Sequence, residues 1–290
     1  MTVFRRLCLL VCAAALCAAL PCCARASVFD EDDSALRLVN REHKITRHYQ
    51  PAELIQPDVP ANKKSQRENI YMRPEAARAL EAMFAAAREE AGYTLLAVSG
   101  YRSFGVQSIL FQNKVDSVGS RGRAWRTVAP PGASEHQLGL AMDVVSANFR
   151  RLNRAFLETD EGRWVNDNCS RFGFVIRYRA EWTEETGYAA EPWHVRYLGQ
   201  AHAQALTRLN LSFEVYAAYA SQWPEYVLLH ADADLLYGLA ADMRAGRFET
   251  VEALGDSAAR DDREKRAVLE RFSAYYANRT EAEDGAFVER

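Results

Sequence analysis

Three short segments, far apart along the chain, carry side chains that must meet at one point, and this requirement constrains the fold more than any other feature. They are Ser99-Gly100-Tyr101-Arg102-Ser103, the run from Ser134 to Asp143 (Ser-Glu-His-Gln-Leu-Gly-Leu-Ala-Met-Asp), and Glu191-Pro192-Trp193-His194. His136, Asp143 and His194 offer two imidazoles and a carboxylate. Three such ligands commonly hold a catalytic zinc while a fourth position stays open. Glu191 adds a carboxylate that need not ligate and can move protons. Arg102 adds a planar, permanently charged group suited to an anion. Taken singly each signal is weak, since a lone histidine is usually structural and Glu-x-x-His arises often by chance. Their joint occurrence carries the reading.

The chain has 290 residues and a formal net charge of −3, so nothing suggests nucleic acid as a partner. Arg5 and Arg6 precede an apolar run from Leu7 to Leu20, and Ala24-Arg25-Ala26 supplies small residues where a signal peptidase reads. Residues 1–26 are therefore read as a secretory signal cleaved near Ala26/Ser27. The apolar run is short for a membrane span, so no stable span is expected after cleavage. An uncleaved anchor, or lipid on Cys22 or Cys23, is the alternative. Five of the six cysteines lie in this leader, leaving Cys169, which cannot form an internal disulfide. It reads as a small buried apolar residue. The acid excess sits at the far end, where residues 221–290 hold nine basic and fifteen acidic side chains.

Residues 27–70, punctuated by Pro51, Pro57 and Pro60, read as an extended arm. Pro74 suits a first helical turn, and Ala76, Leu80, Met83, Phe84 and Ala87 repeat at helical period up to Gly92. Thr94–Ser99 reads as a buried strand, which puts Arg102 just past a strand end. Phe104–Val115, Phe149–Leu157, Gly162–Phe172 and Gln200–Leu209 read as helices. Leu140–Val145, Phe174–Tyr178 and Trp193–Tyr197 read as strands, with loops at 117–133 and 179–190. His136 and Asp143 fit a loop running into a strand, with Gly139 allowing a tight path between them. Strands mixed with separate helices, without βαβ alternation, indicate an α+β fold with a small, mainly antiparallel sheet. Residues 71–220 form the expected catalytic domain. Residues 221–290 are expected to add two or three acidic helices.

The segments resemble the VanY-type D-alanyl-D-alanine carboxypeptidase family of zinc peptidases. Its Ser-x-His-x-x-Gly-x-Ala-x-Asp pattern is met by Ser134, His136, Gly139, Ala141 and Asp143. Its Glu-x-Trp-His pattern is met by Glu191, Trp193 and His194. Tyr101-Arg102-Ser103 with Gln107, Phe174 to Tyr178, Thr186-Gly187-Tyr188, Asn40 to His43 and Leu211 to Tyr219 extend the similarity over roughly residues 36–220.

The resemblance implies a D,D-peptidase/hedgehog-like fold and one Zn2+ per chain, held by His136, Asp143 and His194. It implies Glu191 as general base for zinc-activated water. Arg102 would meet the substrate's carbonyl oxygen or terminal carboxylate, with Ser134 and Gln107 helping and Trp193 mainly packing beside the metal. The implied substrate is a peptidoglycan stem peptide ending in D-alanine, cut outside the membrane. A D-Ala-D-Ala dipeptidase, a peptidoglycan endopeptidase and a non-catalytic zinc-stabilised peptide- or partner-binding module remain open. Glu135 reads as pointing away from the metal, with a role behind a ligand as the lesser alternative. His202 reads as structural. Ala190 departs from the aromatic or polar residue frequent before the last motif.

Overall fold

The computed structural model describes residues 27–62 and 69–287; residues 1–26, with the expected leader and five cysteines, lie outside the described residues. Helix α1 (Pro74–Ala91) carries proline in its first turn, as its sequence demands. Strand β1 (Leu95–Ser99) leads into α2 (Phe104–Val118), whose first turn is capped by the Ser103 hydroxyl accepting from Val106 N at 3.3 Å, and a short turn α3 (Arg121–Ala124) follows. Then come β2 (Ala141–Ser146), α4 (Asp160–Asn168), β3 (Phe174–Tyr178), the turn α5 (Thr183–Thr186) and β4 (Glu191–Tyr197). Helices α6 (Gln200–Arg208), α7 (Phe213–Ala220), α8 (Glu225–His230), α9 (Ala233–Arg244), α10 (Glu249–Asp256) and α11 (Asp262–Phe287) complete the chain. No helix among the described residues is long and apolar enough to cross a membrane.

The strands form one antiparallel sheet in the order β1-β2-β4-β3, which is the α+β architecture that the pattern of elements implies. Successive side chains of a strand face opposite ways. Leu95, Ala97, Met142, Val144, Phe174, Ile176 and Val195 therefore share one face and pack with Leu80, Met83 and Phe84 of α1 and Val165 of α4. The alternate positions Asp143, Arg177, His194 and Arg196 lie on the other face. Leu96, Val98 and Val145 pack together on that face at its β1 end. One sheet face is thus committed to the core, and the other collects the chemistry.

A second core begins with Val28 and Phe29 of the arm. It runs through Val175, Leu206 and Tyr216 to Leu235, Leu269 and Tyr276. The helices after residue 220 therefore share a core with the arm and the sheet. Among the described residues they number four rather than two or three, because Asp232 caps α9 separately through Leu235 N and splits it from α8. The helix read over Phe149–Leu157 shrinks to a 3-10 turn at Arg154–Glu158. Phe149 instead closes a turn with Ser146, exchanging backbone and hydroxyl hydrogen bonds of 3.1 Å, which uses the groups a helix would need. Cys169 opens the 3-10 turn after α4, buried, with its thiol pushed up to about 12 by burial.

His202 joins α6, α7 and α8: its Nε2 donates to the Leu228 carbonyl at 2.8 Å and its Nδ1 accepts from the Tyr216 hydroxyl at 2.7 Å. Burial holds its pKa down at about 4, so it is neutral in the fold, while the unfolded chain takes up a proton near 6.5. A depressed histidine contributes stability above the unfolded value, and that contribution is lost as pH falls towards the folded one. Between pH 7 and pH 5 the chain should lose about 2 kcal/mol more unfolding free energy than the non-titrating His202→Gln variant. Urea unfolding at the two pH values measures this, and equal losses would disprove it.

Candidate active site

Asp143 and His194 are direct cross-strand partners in the β2–β4 ladder. Side chains opposite one another in such a pair stand close enough to touch, and the Asp143 Oδ1 to His194 Nδ1 distance is 3.2 Å. His136 arrives from the turn before β2, a 3-10 segment spanning Glu135–Leu138. Its Nδ1 lies 2.7 Å from the Gly100 carbonyl, which fixes that nitrogen as the donor and turns Nε2 towards Asp143 Oδ1, 3.5 Å away. Gly100 is required there, because a Cβ would fall 2.5 Å from the Tyr71 carbonyl oxygen. Gly139 ends the turn at φ +69°, and a Cβ on it would lie 2.8 Å from Leu54.

These three residues fit a metal. Their ligand atoms lie within 4.8 Å of one another, and all three residues are buried. His136 Nε2 is buried with no hydrogen-bond partner among the described residues. Tetrahedral zinc with bonds near 2.0–2.2 Å sets its ligand atoms about 3.3–3.6 Å apart, close to the 3.2 and 3.5 Å that separate Asp143 Oδ1 from the two imidazole nitrogens. Two nitrogens and one carboxylate oxygen form a borderline-soft donor set of the kind zinc takes.

The electrostatics are consistent with this. Burial, helped by Arg102, holds His136 down at about 4 and keeps it neutral. Burial opposes charge on Asp143, yet the two imidazoles win and keep it well below the usual carboxylate range. Burial likewise opposes charge on His194, but hydrogen bonds to Asp143 and Glu135 raise it to about 9, so a metal ion would displace that proton.

Arg102, Gln107, Ser134, Trp193 and Glu191 line the same cavity of about 200 Å3 as His136, Asp143 and His194. Every residue the sequence put forward is therefore in one place. Glu191 begins β4, three residues before His194, and keeps part of its surface open. Burial raises its pKa to about 7, with the Asp143 charge adding to the effect. Gln107 donates from Nε2 to the Ala129 carbonyl at 2.7 Å, which leaves Oε1 buried without a partner, and Arg102 Nε is in the same condition. Two larger hollows, among the arm and the C-terminal helices, contain none of these residues.

Sequence reasoning missed the wall and kept the support from Glu135 only as its lesser alternative. Tyr178 and Tyr188 line the cavity, and the Tyr188 hydroxyl is a further buried polar atom without a partner. Arg41 of the arm ties both walls together: its Nη2 donates to the carbonyls of Trp125 and Gly187, and its guanidinium lies 4.7 Å from the Tyr188 ring centroid. Behind His194, Glu135 is fully buried and contacts His194, Arg177 and Arg196. The available signal was an arginine inside each of two apolar strands, Phe-Val-Ile-Arg-Tyr and His-Val-Arg-Tyr, since a buried arginine requires an acid.

The family model described as VanY, D-alanyl-D-alanine carboxypeptidase, matches residues 69–200. The putative carboxypeptidase YodJ of Bacillus subtilis (strain 168) is 44% identical over 185 residues, 63% of this chain and 67% of that one. The solved LdcB LD-carboxypeptidase matches with TM-score 0.60 and 43% identity, over 63% of this chain and 85% of its own. A vancomycin-resistance D,D-pentapeptidase VanY, solved in complex with Zn(II), matches with TM-score 0.52 and 32% identity, over 63% of this chain and 98% of its own.

Because Gly139 sets the path between His136 and Asp143, Gly139→Ala should cost about 2 kcal/mol through left-handed backbone and the clash with Leu54. Urea unfolding reads the loss. Stability equal to the parent chain would show that the turn does not depend on this residue.

Proposed function

The chain belongs to the VanY family of D-alanyl-D-alanine carboxypeptidases, and from that premise we propose that it is an exported enzyme that removes the C-terminal D-alanine from peptidoglycan stem peptides. It is a zinc metallopeptidase of that type. The observation that carries the proposal is the convergence of His136, Asp143 and His194, with ligand atoms within 4.8 Å of one another, and with Glu191 and Arg102 on the same small cavity. A purely structural zinc site would need neither of the last two.

His136 would hold the ion through Nε2, Asp143 through its carboxylate and His194 through Nδ1. Bound zinc supplies Lewis acidity that polarises a carbonyl and makes water nucleophilic at neutral pH. Glu191, with its carboxyl poised by burial near neutrality, takes a proton from the attacking water and delivers it to the leaving amine. Arg102 meets the carboxylate of the terminal residue or the developing oxyanion with fixed positive charge. Buried and short of partners, it has hydrogen-bonding capacity to offer a substrate. Ser134 and Gln107 add polar contacts, and Trp193 forms apolar wall. The small cavity suits one or two terminal residues rather than a folded protein. Residues 71–220 carry this chemistry, and the helices beyond them stabilise it through the shared core.

Purified protein with zinc, given pentapeptide and tetrapeptide stems and followed by mass spectrometry, should release a single D-alanine. Glu191→Ala should lower kcat by about 10²–10⁴-fold while zinc stays bound. The preferred stem assigns D,D- or L,D-specificity. Release of a dipeptide would move the chain to the dipeptidase reading. Cutting of cross-links alone would move it to the endopeptidase one. No cleavage by folded, zinc-loaded protein would overturn an enzymatic role and leave the zinc-stabilised binding module.

A further inference from the structure

Glu135 stands beside a metal ligand in sequence, yet its carboxylate reaches a different one in space. Its Oε2 lies 3.4 Å from Nε2 of His194, the ring nitrogen opposite the one that faces Asp143. Its Oε1 accepts from Nε of Arg177 and from Nη1 of Arg196, both at 2.8 Å. The side chain has no exposure to water, and the two buried guanidinium groups beside it supply the positive charge that a buried carboxylate requires. Arg177 is held in turn by both oxygens of Glu214 on α7, and Arg196 by the Ala35 and Arg37 carbonyls of the arm.

We infer that Glu135 is a positioning residue that holds the proton of His194 on Nε2, so that Nδ1 is left free to bind the metal. An ionised carboxylate only accepts hydrogen bonds. With both guanidinium donors committed to Oε1, Oε2 can be satisfied from His194 only by an Nε2–H. The opposite tautomer would set a bare nitrogen against a buried carboxylate oxygen and place hydrogen at the metal-facing atom. His136 is oriented by the same logic with a weaker acceptor, since its outer nitrogen donates to the Gly100 carbonyl. A ligand backed by a carboxylate is both aimed and made more basic, and losing such a partner typically weakens metal binding 10–100-fold. The inference rests on His136, Asp143 and His194 being the ligands.

Glu135→Gln tests it with little change of shape. Two guanidinium donors will hold the amide oxygen, so the amide NH2 must face His194 Nε2. It then favours the Nε2-lone-pair tautomer, with hydrogen on Nδ1. Zinc affinity, measured by competition with a chromophoric chelator, should fall about 10–100-fold. Glu214→Gln is the control: it removes a carboxylate from the same arginine without touching His194, and should leave zinc affinity within about twofold. Equal losses in the two variants, or unchanged affinity in a folded Glu135→Gln, would overturn the inference. Should Glu135→Gln not fold, long-range 1H–15N spectra of the zinc-loaded parent chain decide. Hydrogen on His194 Nε2 is expected, and hydrogen on Nδ1 would overturn the inference. A parent chain that binds no zinc would instead overturn the metal centre, and the inference with it.

Discussion

The ladder between β2 and β4 sets Asp143 against His194 and, in the same stroke, turns Met142 and Val195 into the core. A slip of one residue would exchange the two faces, burying the carboxylate and imidazole in hydrocarbon and carrying the apolar pair to the site. The apolar packing on α1 and α4 therefore enforces the register that the site needs. Stability and function meet here, because the pleat lets neighbouring residues of one strand serve both.

The other sheet face pays for its chemistry with buried charge. Arg177 and Arg196 have no exposed side-chain surface, and neither does Glu135 between them. Removing one member of such a cluster leaves an uncompensated charge in a low-dielectric interior, which is far more costly than removing both partners. The cluster also reaches outward. Glu214 brings in α7 and, through Asn40, the arm, while Arg196 anchors the arm's backbone. Arg41 of that arm then braces the two walls of the cleft. Residues 27–61 have no helix or strand of their own, yet they are fastened at the points where the site requires rigidity.

Much of this was legible along the chain. Strand Phe174–Tyr178 emerges at its expected bounds, because alternating and apolar residues are cut off by Gly173 on one side and a polar loop on the other. Helix α1 follows from Pro74 and a clean spacing of apolar residues. Phe149–Leu157 misled because its apolar residues satisfy a helical count, while the turn with Ser146 diverts the backbone. Glu135 was ambiguous for a related reason. A residue next to a ligand in a tight turn points elsewhere, and where it points depends on strands more than forty residues away.

The sequence by itself determined which side chains could bind a metal, which carboxylate was left over beside them, and which segments had to converge. Those are properties of residue type and short spacing, and they survive any rearrangement of the remaining chain. Only the tertiary structure decided which nitrogen of each histidine faces Asp143, that Glu135 backs His194 rather than solvent, and that the arm and C-terminal helices close around the sheet. Those outcomes depend on donors and acceptors brought together from distant strands, and on a core whose partners no local pattern names.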